Sequence, residues 1–398
     1  MHSLSLKSLK SKQLGRRHGR PIANFGRESG CCIVAFRKLP LMLFTQGLPN
    51  RYQTGNLAGF RNECFTVARS AMNRRRLILA VPCIAVASSG WGQHPQLEAW
   101  SAWKAAHLTD VGRVIDDGHN QISHSEGQAY GLLLAQAFGD REAFRHIEAW
   151  THNTLAVRPD GLMAWKWQGN EADLKNATDG DLLRAWALLR ATRDSGWHEQ
   201  KGKAAQISRG LVDNCLAPDP RVPTELLLKP ASNMTVTDQS VVVNPSYYMI
   251  RALIELGEAF GQVDLLRTAA HGEQLLRDPE ALRDWIDVTP SGIQAATDLS
   301  GAFGWDALRI PLYLFWSGRH DHPALKAAST RFASATLAEH VATVTAPSGQ
   351  LIAQSDAAGF RAVADLAAGR SPAQPRPSHG YYADTLALLA QIAWREGI

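Results

Sequence analysis

The stretch Ser123-His124-Ser125-Glu126-Gly127-Gln128-Ala129-Tyr130-Gly131 sets one carboxylate among small and polar residues, directly ahead of the apolar run Leu132-Leu133-Leu134-Ala135. A serine hydroxyl can accept the first orphan amides of a helix, and a Gln three positions later can close the capping box. The run therefore predicts a helix start, with Ser123 or Ser125 as cap and Gln128 completing the box. Gly127 and Gly131 carry no side chain, so open space is expected beside Glu126 for the close approach of a polymer. Taken alone, Glu126 is an acid in a first helical turn, where the helix dipole favours negative charge. Its company elsewhere in the chain argues for more.

Outward from this stretch, two kinds of helical segment alternate. One kind is apolar on nearly every face: Tyr130–Phe138, Leu182–Leu189, Tyr247–Leu256, Ala307–Trp316 and Tyr382–Trp394. The other carries a charged stripe: Glu98–His107, Arg141–Leu155, Glu199–Asp213, Leu265–Arg277 and Pro323–His340. A helix that is apolar all round must be surrounded by protein, whereas a striped one covers the outside. The alternation predicts an all-α fold, an α/α barrel of inner and outer helices. The β-branched runs that a parallel α/β barrel needs are missing. Short strands are expected at Thr224–Lys229, Thr235–Val243 and Trp285–Ala295, in loops that rim the barrel.

Polar residues gather where the inner helices begin. Gly112-Arg113-Val114-Ile115-Asp116-Asp117-Gly118-His119-Asn120 leads into the Glu126 stretch, and Asn176-Ala177-Thr178-Asp179-Gly180-Asp181 precedes the second inner helix. Asn244-Pro245-Ser246-Tyr247 places a capping Asn before a Pro at the first helical position. In Gly304-Trp305-Asp306-Ala307-Leu308-Arg309-Ile310-Pro311, the proline is tolerated because it falls in the first turn. Inner-helix starts on one rim converge on one mouth, so Glu126, Asp179 and Asp306 are expected to face a common cleft. Arg309, three residues beyond Asp306, can meet it on one helix face and orient it; the plain alternative is a solvated charge.

These four motifs, S-E-G-Q-x-Y-G, A-T-D-G-D, N-P-S-Y and W-D-A-x-R, in this order and spacing, resemble glycoside hydrolase family 8. Within it, they are most similar to the periplasmic endo-β-1,4-glucanases associated with bacterial cellulose synthesis. The resemblance covers roughly Trp100 to Trp394. It implies an (α/α)6 barrel that cleaves β-1,4-glucan with inversion and without a cofactor. Glu126 matches the family's general acid, Asp306 its general base, and Asp179 the acid that grips the sugar at the cleavage point. Inversion requires a protonated carboxyl at the glycosidic oxygen and an ionised one across the ring, with room for a water between.

Flat aromatic rings suit the C–H faces of pyranose units, and Asn, Asp and Arg suit their hydroxyls. Tyr130, Trp165, Trp167, Asn244, Tyr247, Trp305, Arg309 and Tyr381 are therefore the candidate glucan-binding residues, with Trp103 nearby. Trp165 and Trp167 alternate, so in an extended strand they share a face. Core packing accounts equally well for any one of these aromatics taken singly. Two residues depart from the family pattern. Trp305 stands where Tyr is usual and offers only an N–H donor for holding the attacking water. Arg184 stands where an aliphatic residue is usual.

The chain of 398 residues is 45% hydrophobic and 20% charged, an ordinary globular composition. Its formal charge of +5 is unevenly spread: residues 1–76 hold 15 Lys and Arg against two acids, Glu28 and Glu63, leaving 27 bases against 35 acids beyond them. The acidic remainder removes nucleic-acid binding as an explanation of the basic total. Met72-Asn73-Arg74-Arg75-Arg76, the apolar run Leu77 to Ala87 and the small residues Ala85 and Ala87 read as a signal peptide, too short to span a bilayer comfortably. On this reading residues 1–71 are an over-extended or disordered segment, 72–87 the leader, and 88–398 a single catalytic domain in the periplasm or outside the cell. The mature chain keeps one cysteine, Cys215, so it can form no internal disulfide. No Cys/His cluster has metal-ligand spacing, and His119 and His124 are expected to be solvated. Expected partners are a β-1,4-glucan and the cellulose synthase machinery. The competing readings are a chitosanase or xylanase of the same family, or a non-catalytic subunit that guides glucan out of a synthase.

Overall fold

The computed structural model describes residues 95–375 and 380–397, so the expected leader and the basic segment before it lie outside the described residues. Eleven α-helices carry the fold: α1 (Pro95–His107), α2 (Ser125–Ala137), α3 (Arg141–Thr154), α4 (Thr178–Arg193), α5 (Lys201–Cys215), α6 (Ile250–Phe260), α7 (Val263–Leu275), α8 (Arg309–Trp316), α9 (Pro323–Phe332), α10 (Ala358–Ala367) and α11 (Tyr381–Glu396). Among the described residues none is long and apolar enough to cross a membrane.

The segments read as apolar on every face are the buried ones. In α2 burial is nearly continuous from Gly127 to Gln136, in α4 from Thr178 to Ala191, and in α8 from Arg309 to Trp316. Each fully buried Leu or Phe among them contributes about 1.5–3 kcal/mol. These helices pack in a cycle: α2 on α4, α4 on α6, α6 on α8, α8 on α11, and α11 back on α2. The striped helices lie against this ring, α3 on α2, α5 on α4, α7 on α6, α9 on α8 and α1 on α11. Helix α10, which the charge pattern did not signal, packs against both α8 and α11.

All sheets are small and antiparallel. Strands β1 (Ser123–His124), β2 (Lys166–Gln168) and β3 (Glu171–Asp173) form one, with Ser123 opposite Trp167. Strands β4 (Leu216–Asp219) and β5 (Val222–Leu228) form a hairpin. A third sheet joins β6 (Val241–Val243), β7 (Ile286–Thr289) and β8 (Gly292–Ala295). The hairpin β9 (Val341–Thr345) and β10 (Leu351–Ser355) was not anticipated: the expected helix to His340 ends at Phe332 and the chain turns into β9. The expected strand from Thr235 shrinks to β6.

Several local expectations are corrected. The cap of α2 is His124, whose Nδ1 accepts from Gly127 N at 3.0 Å, in place of a serine. Gln128 does not close a capping box. It faces the interior, accepting from Val114 N at 2.6 Å and donating to Thr151 Oγ1 at 2.8 Å. Gly127 and Gly131 leave no open space, since a Cβ would sit 2.9 Å from the Tyr381 hydroxyl and from Val114 Cγ2, respectively. Asn244 caps a 3-10 turn, Pro245–Tyr247, and α6 begins only at Ile250.

Candidate active site

The starts of the inner helices do converge. Gly180 is where two of them touch: a Cβ there would lie 2.4 Å from Ser125 Oγ and 2.8 Å from Glu126 N. Only glycine lets α4 bring Asp179 this near to the start of α2. From α8, Arg309 reaches into the same space, its side chain 3% exposed. Its Nη1 pairs with Glu126 Oε1 and lies 3.5 Å from Asp179 Oδ2, while Nη2 is 2.9 Å from Asp306 Oδ1 and donates to Ser246 Oγ at 2.9 Å. All three carboxylates singled out from the sequence therefore meet one guanidinium. The expected Arg309–Asp306 pair forms, and Arg309 holds the other two acids as well.

Glu126 is fixed from its own helix. One turn on, the Tyr130 hydroxyl donates to Glu126 Oε1 at 2.8 Å and meets the Tyr313 hydroxyl at 2.6 Å. Before it, His124 Nε2 lies 3.4 Å from Asp116 Oδ2, and His119 Nδ1 bonds the same oxygen. Neither histidine is simply solvated, as the loop composition suggested. Burial pushes the Asp116 carboxyl up, but these two imidazoles outweigh it and hold it well below the usual range.

The acids differ in access and in proton affinity. Glu126 and Asp306 keep 18% and 20% of their side chains exposed, whereas Asp179 keeps 6%, so the first two are the more open to a bound polymer. Burial pushes Asp179 up to about 6 despite the Gly180 N–H bound to it. Asp306 is raised well above the ordinary carboxylate range, first by burial and then by the charges of Asp284 and Asp179. The nearby N–H groups of Asn244 and Trp285 oppose that rise.

Sequence reading missed Asp284, just ahead of β7. Its Oδ1 accepts from the backbone N–H groups of Gly304, Asp306 and Ala307 at 3.1, 3.0 and 2.9 Å, and its Oδ2 from Ser300 Oγ at 2.8 Å. An acid directly ahead of the strand expected at Trp285–Ala295, on the rim, was the available signal. It also missed Tyr313, one turn beyond Arg309, and Tyr382, whose hydroxyl donates to Trp305 O at 2.6 Å.

The aromatic candidates divide. Tyr130 and Tyr247 are buried at the carboxylates, with Arg309 5.9 Å over the Tyr247 ring. Trp305 is half-buried against Phe360 and Tyr382. Trp167 has Arg113 4.5 Å over its ring and Trp150 in edge contact at 5.8 Å, so the guanidinium covers one of its faces. Trp103 is a core residue whose indole donates to Thr385. Buried polar atoms without a hydrogen-bond partner are rare in proteins. Here Ser125 Oγ, Trp165 Nε1, Asn244 Nδ2, Trp285 Nε1, Arg309 Nε and the Tyr381 hydroxyl all lack one of good geometry. Among the described residues no group of acids, His and Cys is placed to hold a metal.

Residues 70–396 match the family model described as glycosyl hydrolases family 8. The chain is 30% identical over 319 residues to a probable endoglucanase of Novacetimonas hansenii, covering 75% of this chain and 91% of that one. To an endoglucanase of Cellulomonas uda it is 29% identical over 255 residues, 61% of this chain and 68% of the relative. Its fold is similar to that of the endo-β-1,4-glucanase CMCax from Acetobacter xylinum, with a TM-score of 0.69 and 27% identity over 76% of this chain and 99% of the other.

Proposed function

The chain belongs to glycosyl hydrolases family 8, and from that premise we propose that it is an inverting endo-β-1,4-glucanase acting on amorphous or nascent cellulose. The observation that carries the reading is the meeting of Glu126, Asp179 and Asp306 around Arg309, with Glu126 and Asp306 the more open to a polymer. Glu126 gives its proton to the glycosidic oxygen as the bond breaks. Asp306, ionised, takes a proton from the water that attacks the anomeric carbon from the opposite face. For Glu126 to carry that proton its contact with Arg309 must open, and Arg309 has Asp306, Asp179 and Ser246 as remaining partners. Asp179, through the small part of its side chain left exposed, supplies a hydrogen bond to a sugar hydroxyl, while the Asn244 amide faces Asp306.

The cycle of buried helices within striped ones supports an (α/α)6 barrel, although the described residues hold eleven α-helices where six pairs would make twelve. The basic, apolar and small-residue succession over residues 72–87 supports export to the periplasm or beyond, with 88–398 as one catalytic domain. There the resemblance to enzymes of cellulose synthesis supports a place beside the synthase machinery.

A proton NMR time course with a cello-oligosaccharide tests the reading. The expected result is new α-anomer appearing before mutarotation. Initial β-anomer would require retention and overturn the roles given to Glu126 and Asp306. Cleavage of chitosan or xylan oligomers alone would overturn the substrate.

A further inference from the structure

Asp284 lies outside the four motifs, yet it is built into the loop that presents Asp306. One carboxylate oxygen receives three amides of one loop, those of Gly304, Asp306 and Ala307, and the other receives the Ser300 hydroxyl. The residue is 5% exposed. A Cβ at Gly304 would lie 2.4 Å from Asp284 Oδ2, so the loop is wrapped on the carboxylate itself. We propose that Asp284 is a positioning residue for the reaction: its carboxylate fixes the 304–307 loop, and its negative charge sets the proton affinity of Asp306. The inference rests on the proposed role of Asp306 as general base.

The two effects come from one carboxylate, because backbone amides favour its charged form and that charge then acts on its neighbour. Asp306 is also faced by Asp179 from α4, Tyr247 and Asn244 ahead of α6, Trp285 beside β7, Arg309 and Tyr313 from α8, and Tyr382 from α11. Among these Arg309 is the one cation. Burial raises Asp284 to about 6 against the pull of the amides it accepts from, and its charge is one of those that raise Asp306.

Asp284→Asn retains an oxygen for the three amides and removes the charge. Without that charge Asp306 loses its proton more easily, so the acid limb of the kcat/KM profile should move to lower pH by roughly one unit. Turnover at the new optimum should stay within several-fold of the parent. Asp284→Ala, which releases the loop, should lower kcat by roughly a hundredfold. Asp306→Asn is measured alongside. If it is inactive while the Asp284→Asn limb stays put or moves up, this inference falls and the assignment of Asp306 stands. If Asp306→Asn turns over normally, that assignment falls, and this inference with it. Should Asp284→Asn not fold, carboxyl carbon NMR of the parent decides: each of the two resonances should record the titration of the other, and independent single steps would overturn the coupling.

Discussion

The two ends of the same inner helices treat charge in opposite ways. At their starts, three carboxylates share Arg309. At the far ends of α4, α8 and α11, Arg190 grips Glu396 with two bonds of 2.7 Å, joined by Arg251 from the first turn of α6, which pairs with Glu255 and reaches Glu396. Indole donors complete that network, Trp316 to Glu396 and Trp186 to Glu255, with Arg190 lying over both rings. Acids and bases are matched at one end and outnumber their partner at the other. Glu396 shows the result: burial raises it, but Arg190, Trp316 and Arg251 hold it below the ordinary range, whereas Asp179 and Asp306 are raised. The pH dependences therefore have opposite signs. The stability contributed by Glu396 is present above its unfolded value and lost as pH falls, while that of Asp179 and Asp306 is present in acid and lost as pH rises through their raised values. A closed network stabilises the far end of these helices, and a mismatched one leaves acids with raised proton affinity at their starts.

The largest expected effect comes from the mismatched end. Glu126→Gln and Asp306→Asn should each lower turnover by roughly a thousandfold or more while leaving the fold intact, because each removes a group proposed to move a proton in the transition state. Steady-state rates on soluble carboxymethylcellulose measure it, and near-normal rates in either variant would sink the role given to that residue. The stability of Asp306→Asn relative to the parent should also improve as pH rises above the ordinary carboxylate range, since the buried acid it replaces, whose proton affinity is raised, must ionise there. Denaturant midpoints within and above that range read that sign.

Arg190→Met sharpens the contrast. It leaves Glu396 partly buried with Arg251 at 3.4 Å as its remaining cation, so stability should fall by roughly 2–3 kcal/mol, discounted because Glu396 is 19% exposed. Turnover per folded molecule should be unchanged. Arg309→Met should do the reverse, with a large loss of turnover and a smaller loss of stability. Equal effects on both quantities at both ends would erase the distinction.

What the sequence made legible follows from periodicity. Burial on every face versus on one face picked out α2, α4, α8 and α11 as inner and α1, α3, α5 and α7 as outer, because solvent exposure writes directly into residue type. The carboxylates were legible because each stands in a short motif at a helix start. Asp284 was not, since its partners are backbone amides some 20 residues away, which have no sequence signature. Arg184, a departure from the family pattern, had no readable purpose for a related reason: the charge sits inside α4, but its partner Glu148 comes from α3, through two bonds of 3.0 and 2.8 Å that only packing reveals. The openness expected at Gly127 and Gly131 failed because a missing side chain permits close packing as readily as a cavity.

The smallest effect concerns how Glu126 is held. His124 serves α2 with one nitrogen and faces Asp116 with the other, so it joins the helix start to the 116–119 turn. His124→Ala removes both interactions and should cost about 1 kcal/mol, the usual value of a lost cap. His124→Asn restores a strong capping side chain but not the reach to Asp116, so it should recover most of that stability. If the turn serves only as packing, the Asn variant should also recover full turnover. If Asp116 and His124 together hold Glu126 in register with Tyr130 and Arg309, its stability will return while its turnover stays several-fold low. Measuring denaturant midpoints and rates on the same two variants separates the outcomes, and a parallel recovery of both would reduce His124 to a helix cap.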